Sequence, residues 1–122
     1  MKAVGDDTNG SYTLCEYEAT ADIPTHVHLR EDESVYMLDG RVTISVGYEE
    51  FVAGKGDFVF MPRDVPHSIT LASEPPIRFL AFSTPSGFEH FMEDLFEALA
   101  AGHDRTSPED AAVRDKYGWR PT

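Results

Sequence analysis

Cysteine is nearly absent from this chain: Cys15 is the only one among 122 residues. An internal disulfide is therefore excluded, and so is a zinc site built from thiolates. Basic residues are also scarce, with 10 Lys plus Arg against 22 Asp plus Glu and a formal net charge of −12. That balance works against nucleic acid, whose phosphates need clustered cations, and equally against anionic membrane surfaces. No apolar run approaches the roughly 20 residues of a membrane span, and no basic start leads into the apolar segment of a secretion signal. The expectation is a soluble, cytoplasmic protein without a nucleic-acid or membrane partner. Apolar material is nevertheless sufficient, at 41% hydrophobic and 11% aromatic residues, for a globular chain. The length fits a single domain over residues 1–122, large enough to bury a core without disulfide or metal staples.

Short alternating runs broken by turn residues fill the chain up to Ser83. The strands expected from them are Tyr12–Tyr17, His26–His28, Ser34–Leu38, Arg41–Val46, Phe51–Ala53, Phe58–Met61, Ser68–Leu71 and Arg78–Ser83. Asp39-Gly40 stands between two of these runs and reads as a two-residue hairpin, since both positions of such a turn favour positive φ. Many short strands at close spacing, with no helical period between them, imply antiparallel pairing in an all-β sandwich or closed barrel. After Ser83 the period changes. Phe88, Phe91, Met92, Leu95, Phe96 and Leu99 follow the stripe of an amphipathic helix, which reads as a lid packed on the barrel or on a second subunit. Ser86 with Glu89 reads as its capping box and Gly102 as its stop. A second helix is expected from Ser107 with Pro108 in its first position, closed by Gly118, and Gly102–Thr106 is the linker. The barrel thus covers about residues 11–83 and the helical segment about 86–118. The first ten residues read as a loose arm or an extra edge strand.

Five histidines are present. His90 and His103 fall on the polar face of the helix and in the linker, where surface roles are expected. His26 and His28, two apart on one strand, leave the same face. Glu33 follows at the start of the next run, and its face is shared by Val35 and Met37. His67 arrives after the segment Gly56–Pro66. A lone histidine is more often a satisfied core or surface residue than a ligand. A paired His-x-His inside an all-β chain has little packing logic of its own. Three imidazoles and a carboxylate brought together would suit a divalent transition ion.

The pattern His26-Val-His28-Leu-Arg-Glu-Asp-Glu33, followed by six residues to Gly40, resembles the first motif of the cupins. Gly56-Asp-Phe-Val-Phe-Met-Pro62-Arg-Asp64-Val-Pro-His67 resembles their second motif. Thr20, Asp64 and Leu71 depart from the family pattern at its opening glycine, turn glycine and final asparagine. Asp tolerates a left-handed turn, so the change at Asp64 is mild. The runs THVHLREDESVYMLDG and TPSGFEHFMEDL further resemble small bacterial cupins grouped with quercetin 2,3-dioxygenase. The resemblance implies an all-β, antiparallel jelly-roll barrel with one or two C-terminal α-helices. It makes His26, His28, Glu33 and His67 the ligands of one divalent transition metal ion: Fe, Ni, Mn, Co, Cu or Zn. Glu31 competes for the carboxylate role, but the spacing to Gly40 favours Glu33, which would face the interior while Glu31 lies in the loop.

Glu33 is also the expected catalytic residue, acting as ligand and as base toward a substrate hydroxyl. Strand alternation nominates Val35, Met37, Val42, Ile44, Phe58, Phe60 and Ile69 as the pocket lining. The resemblance implies a dioxygenase acting on a small aromatic or enolisable substrate, and a homodimer formed through a barrel edge. Two other readings belong to different classes. One is a non-redox cupin enzyme (isomerase, cyclase or decarboxylase), which would work with zinc or without oxygen. The other is a metal-assisted binding module, which would be stabilised by its ligand without forming product.

Overall fold

The computed structural model describes residues 1–100, 108–116 and 118–121. A one-turn helix, α1 (Gly5–Thr8), precedes β1 (Thr13–Ala19), β2 (Ile23–His28), β3 (Asp32–Asp39), β4 (Val42–Val46), β5 (Glu49–Ala53), β6 (Phe58–Met61), β7 (His67–Leu71) and β8 (Ile77–Thr84). Helices α2 (Phe88–Ala100) and α3 (Pro108–Lys116) follow, and the chain returns to a last strand, β9 (Trp119–Pro121). The strands form two antiparallel sheets in the orders β1-β8-β3-β6 and β5-β4-β7-β2-β9. This is the all-β jelly-roll architecture expected, with the helices at its C-terminal end.

The period-2 logic is cleanest in β8, which is paired on both sides. Ile77, Phe79, Ala81 and Ser83 are buried while the residues between them are not. With Val35, Met37, Val42, Ile44 and Met61 they fill the space between the sheets. Each large apolar one, such as Phe79 or Ile44, contributes about 1.5–3 kcal/mol of burial free energy.

Asp39-Gly40 does not close a hairpin. β3 and β4 belong to different sheets, so the dipeptide turns the chain from one layer to the other. Gly40, at φ 82°, sits so close to Ile77 that a Cβ there would lie 2.9 Å from its Cγ1. A local turn signal carries no information about which sheet receives the next strand. The hairpin forms one loop later, where β4 and β5 pair through Val46 and Glu49 around Gly47-Tyr48. Gly47, at φ 59°, takes the first loop position.

Other expectations also change. The N-terminal residues are neither a loose arm nor a strand: they form α1 and a single bridge from Ala3 to Leu14. Ser86 and Glu89 do not form the capping box, because α2 begins only at Phe88. The Glu89 carboxylate instead accepts from the N–H groups of Gly5 (3.1 Å) and Gly87 (3.1 Å) and from the Thr13 hydroxyl. It thereby ties the start of α2 to α1 and β1. Gly118 does close α3, its N–H meeting the Asp115 carbonyl at 3.2 Å. Beyond it the backbone adds β9 to the outer edge of β2, which no local pattern announced. The expected helix stop Gly102, the linker Gly102–Thr106 and Ser107 lie outside the described residues.

Candidate metal centre

β2 and β7 are neighbours, and His26 and His67 are partners in their register. His28, two residues on, leaves the same face of β2 and is also buried. Glu33 comes from the opposite sheet, at the position of β3 that faces Met61 on one side and Ser83 on the other. The cluster is therefore assembled from both layers: three imidazoles from one and a carboxylate from the other. One donor atom from each of the four residues lies within 4.8 Å of all the others. Glu33 Oε2 is 3.2 Å from His28 Nε2 and 3.3 Å from His67 Nε2, and the Nε2 atoms of His26 and His28 are 3.1 Å apart.

The far sides of the rings show which nitrogens point inward with a lone pair. His26 Nδ1 is 2.8 Å from the Pro24 carbonyl, and His67 Nδ1 is 3.3 Å from the Val65 carbonyl. A carbonyl only accepts, so each Nδ1 carries the proton, and the Nε2 of the neutral ring is left bare. Pro24 belongs at this spot, where the β2–β7 register shifts and a ladder N–H can be missing. His28 donates its Nδ1–H to Glu31 at 2.6 Å. His67 Nε2 is buried without a hydrogen-bond partner among the described residues. Three Nε2 atoms facing one point, one of them orphaned, together with an ionised carboxylate, fit a divalent transition ion with nitrogen and oxygen preference.

The electrostatics agree. Burial pushes His26 down to about 4, and the neighbouring His67 and His28 add to that, so this ring is neutral at pH 7. Burial also works against a charged His28, but the carboxylates of Glu31 and Glu33 overcome it and raise its pKa to about 9. Burial opposes ionisation of Glu33 as well, yet the imidazoles of His28 and His67 beside it hold it below the usual carboxylate range. Without an ion, the proton on His28 supplies the positive charge that the buried carboxylates require.

Glu31 lies in the β2–β3 loop, 8% exposed, and does not join the four. Its role is to fix the ring of His28 from behind, as a carboxylate behind a histidine ligand commonly does. Asp64, at φ 67°, takes the left-handed turn, and its N–H bonds the His28 carbonyl at 2.8 Å. The turn that carries His67 is thus tied directly to the strand that carries the other two histidines. Cys15 is buried in the core, and burial lifts its thiol to about 11, out of the range of a nucleophile.

A cavity of about 180 Å³ opens on His26, His28 and Glu33. Tyr17, Ile23, Ile69, Phe79, Phe88 and Phe91 form most of its wall. Of the residues nominated by alternation only Ile69 is among them. Val35, Met37, Val42 and Ile44 are core, and Phe58 and Phe60 are 62% and 53% exposed. Their assignment fails on parity: on β6 it is Met61 that is buried, so Phe58 and Phe60 face outward. The aromatic wall contributed by α2 could have been found in the Phe88/Phe91 stripe. The Phe88 ring lies 5.5 Å from that of His28 and 5.4 Å from Phe91. A larger cleft of about 430 Å³ lies away from the four-residue cluster, between α1 and the start of α2, with Glu89 and His90 in its wall.

Fold and cluster together define a class: a two-sheet β-barrel whose interior holds three histidines and one glutamate fit for a metal ion. The pattern described as a cupin domain matches residues 13–83, more than half of the chain, and the chain belongs to the cupin family. An uncharacterized protein of Methanocaldococcus jannaschii is 33% identical over 72 residues, 59% of this chain and 57% of that one. The chain thus spans little more than half the length of this relative. Among solved structures, TT1209 of Thermus thermophilus is 31% identical, with a TM-score of 0.53, over 61% of this chain and 70% of that one. KdgF of a Halomonas species shares the fold, with a TM-score of 0.59 and 18% identity over 66% and 76%. So does the nucleoside dehydratase Pac13, with a TM-score of 0.57 and 15% identity over 66% and 65%. Among the described residues no helix is long and apolar enough to cross a membrane.

Proposed function

We propose that this cupin is a metal-dependent oxygenase, similar in chemistry to quercetin 2,3-dioxygenase and acting on a small aromatic or enolisable hydroxyl compound. The observation that carries the reading is the cluster of His26, His28, Glu33 and His67 donors, three of which (His26, His28 and Glu33) line an aromatic-walled cavity. At about 180 Å³ that cavity is below the roughly 300–1,000 Å³ of sites for drug-sized ligands, which favours a single-ring substrate over a flavonol. A divalent ion held by the four residues would supply Lewis acidity and, if redox-active, a path for electrons from the substrate to dioxygen.

The remaining work belongs to the protein. Phe79, Phe88 and Phe91 stack on the substrate ring and keep water away. Glu33, ionised and within reach of the cavity, accepts the proton of the substrate hydroxyl, so that the bound species is the anion. Glu31 keeps His28 in place throughout. The reading includes a homodimer, supported by the exposed Phe58 and Phe60 on the edge strand β6.

The test begins with elemental analysis of the purified protein, followed by oxygen uptake with catechol-type substrates. Stoichiometric iron, nickel, manganese, cobalt or copper, with one dioxygen consumed per product and no reductant, is the expected result. Stoichiometric zinc, or turnover without oxygen, would replace the oxygenase by a Lewis-acid enzyme. Such an enzyme is the second reading, favoured by the fold shared with the dehydratase Pac13. Absence of metal uptake on reconstitution would end both.

A further inference from the structure

A second cleft, of about 230 Å³, adjoins the cavity at the metal centre. The two share the rings of Phe88 and Phe91 as walls. Among the described residues the inner cavity has no Lys or Arg in its lining and its only acid is Glu33. The outer cleft is lined by Arg30, Glu31 and His90 on its polar side. Their charges are not equivalent. Glu31 is committed through Oε1 to His28 at 2.6 Å. His90 stands 3.9 Å from Glu89 and 3.7 Å from Glu93. Lys2, Arg63, Arg78 and Lys116 are each tied into an ion pair, whereas Arg30 has none among the described residues. In a chain of net charge −12, a guanidinium with no carboxylate on it, in a cleft beside the candidate catalytic cavity, is placed for a ligand that brings its own negative charge.

We infer that the outer cleft is the subsite for a carboxylate substituent of the substrate, held by Arg30, while the ring occupies the inner cavity against the metal centre. This rests on the proposed function and narrows it to ring compounds bearing a carboxylated side chain. A carboxylate suits the site better than a phosphate. One planar guanidinium pairs with a carboxylate through two parallel N–H bonds, whereas a phosphate dianion calls for more than one cation, and among the described residues this cleft has one Arg. The apolar interior rejects a charge placed directly on the ring, so the carboxylate belongs on a short arm that passes Phe88 and Phe91.

The test uses the full chain reconstituted with zinc, which binds a catecholate without oxidising it. Affinities are measured by calorimetry for catechol, 3,4-dihydroxyphenylacetate and 3-(3,4-dihydroxyphenyl)propanoate, on the wild type and on Arg30→Gln and Arg30→Met. The wild type is expected to prefer at least one of the two acids over catechol by about tenfold or more. In both variants that ratio is expected to collapse toward one. A ratio near one in the wild type, or a preference that survives both substitutions, overturns the subsite and leaves the oxygenase reading standing. Binding of none of the three compounds overturns both.

Discussion

Glu33 and Glu89 are 9% and 4% exposed, and both carboxyls are held below the usual range against the pull of burial, yet they lie in regions of opposite character. Glu89 is satisfied by the N–H groups of Gly5 and Gly87 and the hydroxyl of Thr13. None of these titrates near neutral pH, and the two N–H groups have no lone pair to offer an ion, so the region is a clamp that joins α1, β1 and α2. Glu33 is held by imidazoles whose nitrogens can exchange a proton for a metal. A buried carboxylate is thus by itself no sign of a site. What distinguishes the two is whether the partners can change their own charge and coordination.

The largest effect should come from Glu33→Gln or His67→Ala, which remove a donor from the cluster. Each is expected to lower metal affinity by more than about a hundredfold, beyond what loss of a supporting partner outside the coordination sphere does. Elemental analysis after dialysis reads the loss, and circular dichroism should show the barrel intact. Glu89→Ala should do the reverse, costing about 2–4 kcal/mol and lowering Tm by roughly 10 °C while the metal stoichiometry stays at one. Loss of metal in that variant would show that clamp and cluster are not separable.

Glu31→Gln tests the border between the two kinds of carboxylate. It leaves four donors but loosens His28, and a 10–100-fold drop in metal affinity is expected from competition with a chelator. Taken per pH unit, the smallest effect is the pH dependence. With His28 at about 9, an ion must displace one proton, so affinity should rise about tenfold per pH unit from 7 to 9 and then level off. His26, at about 4, adds no proton in that window. The sign reverses for the metal-free protein. Its His28 pKa lies above the unfolded value, so that contribution is complete below about 6.5 and lost as pH rises through about 9. Calorimetry in buffers of different protonation enthalpy reads the released proton directly.

The strands were legible because alternation is a local consequence of one face meeting the core, as in Ile77, Phe79 and Ala81. The histidine pair was legible for the same reason, since residues two apart on a strand must share a face. Phe58 and Phe60 were misplaced because apolar residues run through every position of Phe58–Met61, and alternation then does not say which parity faces in. The Asp39-Gly40 turn was real, but its destination was not written in it. Glu33 was expected to face the interior and does cluster there with the histidines, while the bond from Glu31 to His28 depends on how the β2–β3 loop folds back on its own strand.

By itself the amino-acid order determined the barrel, the helical tail and the four residues able to hold an ion. Periodicity and motif spacing are properties of neighbours along the chain. The tertiary structure decided what surrounds those residues: β9 on the edge of β2, the Glu89 clamp, the α2 rings over the cavity, and Arg30 in the cleft beside it. Each of these depends on contacts between segments far apart in sequence, where free energy comes from burial and satisfied polar groups that no local pattern encodes.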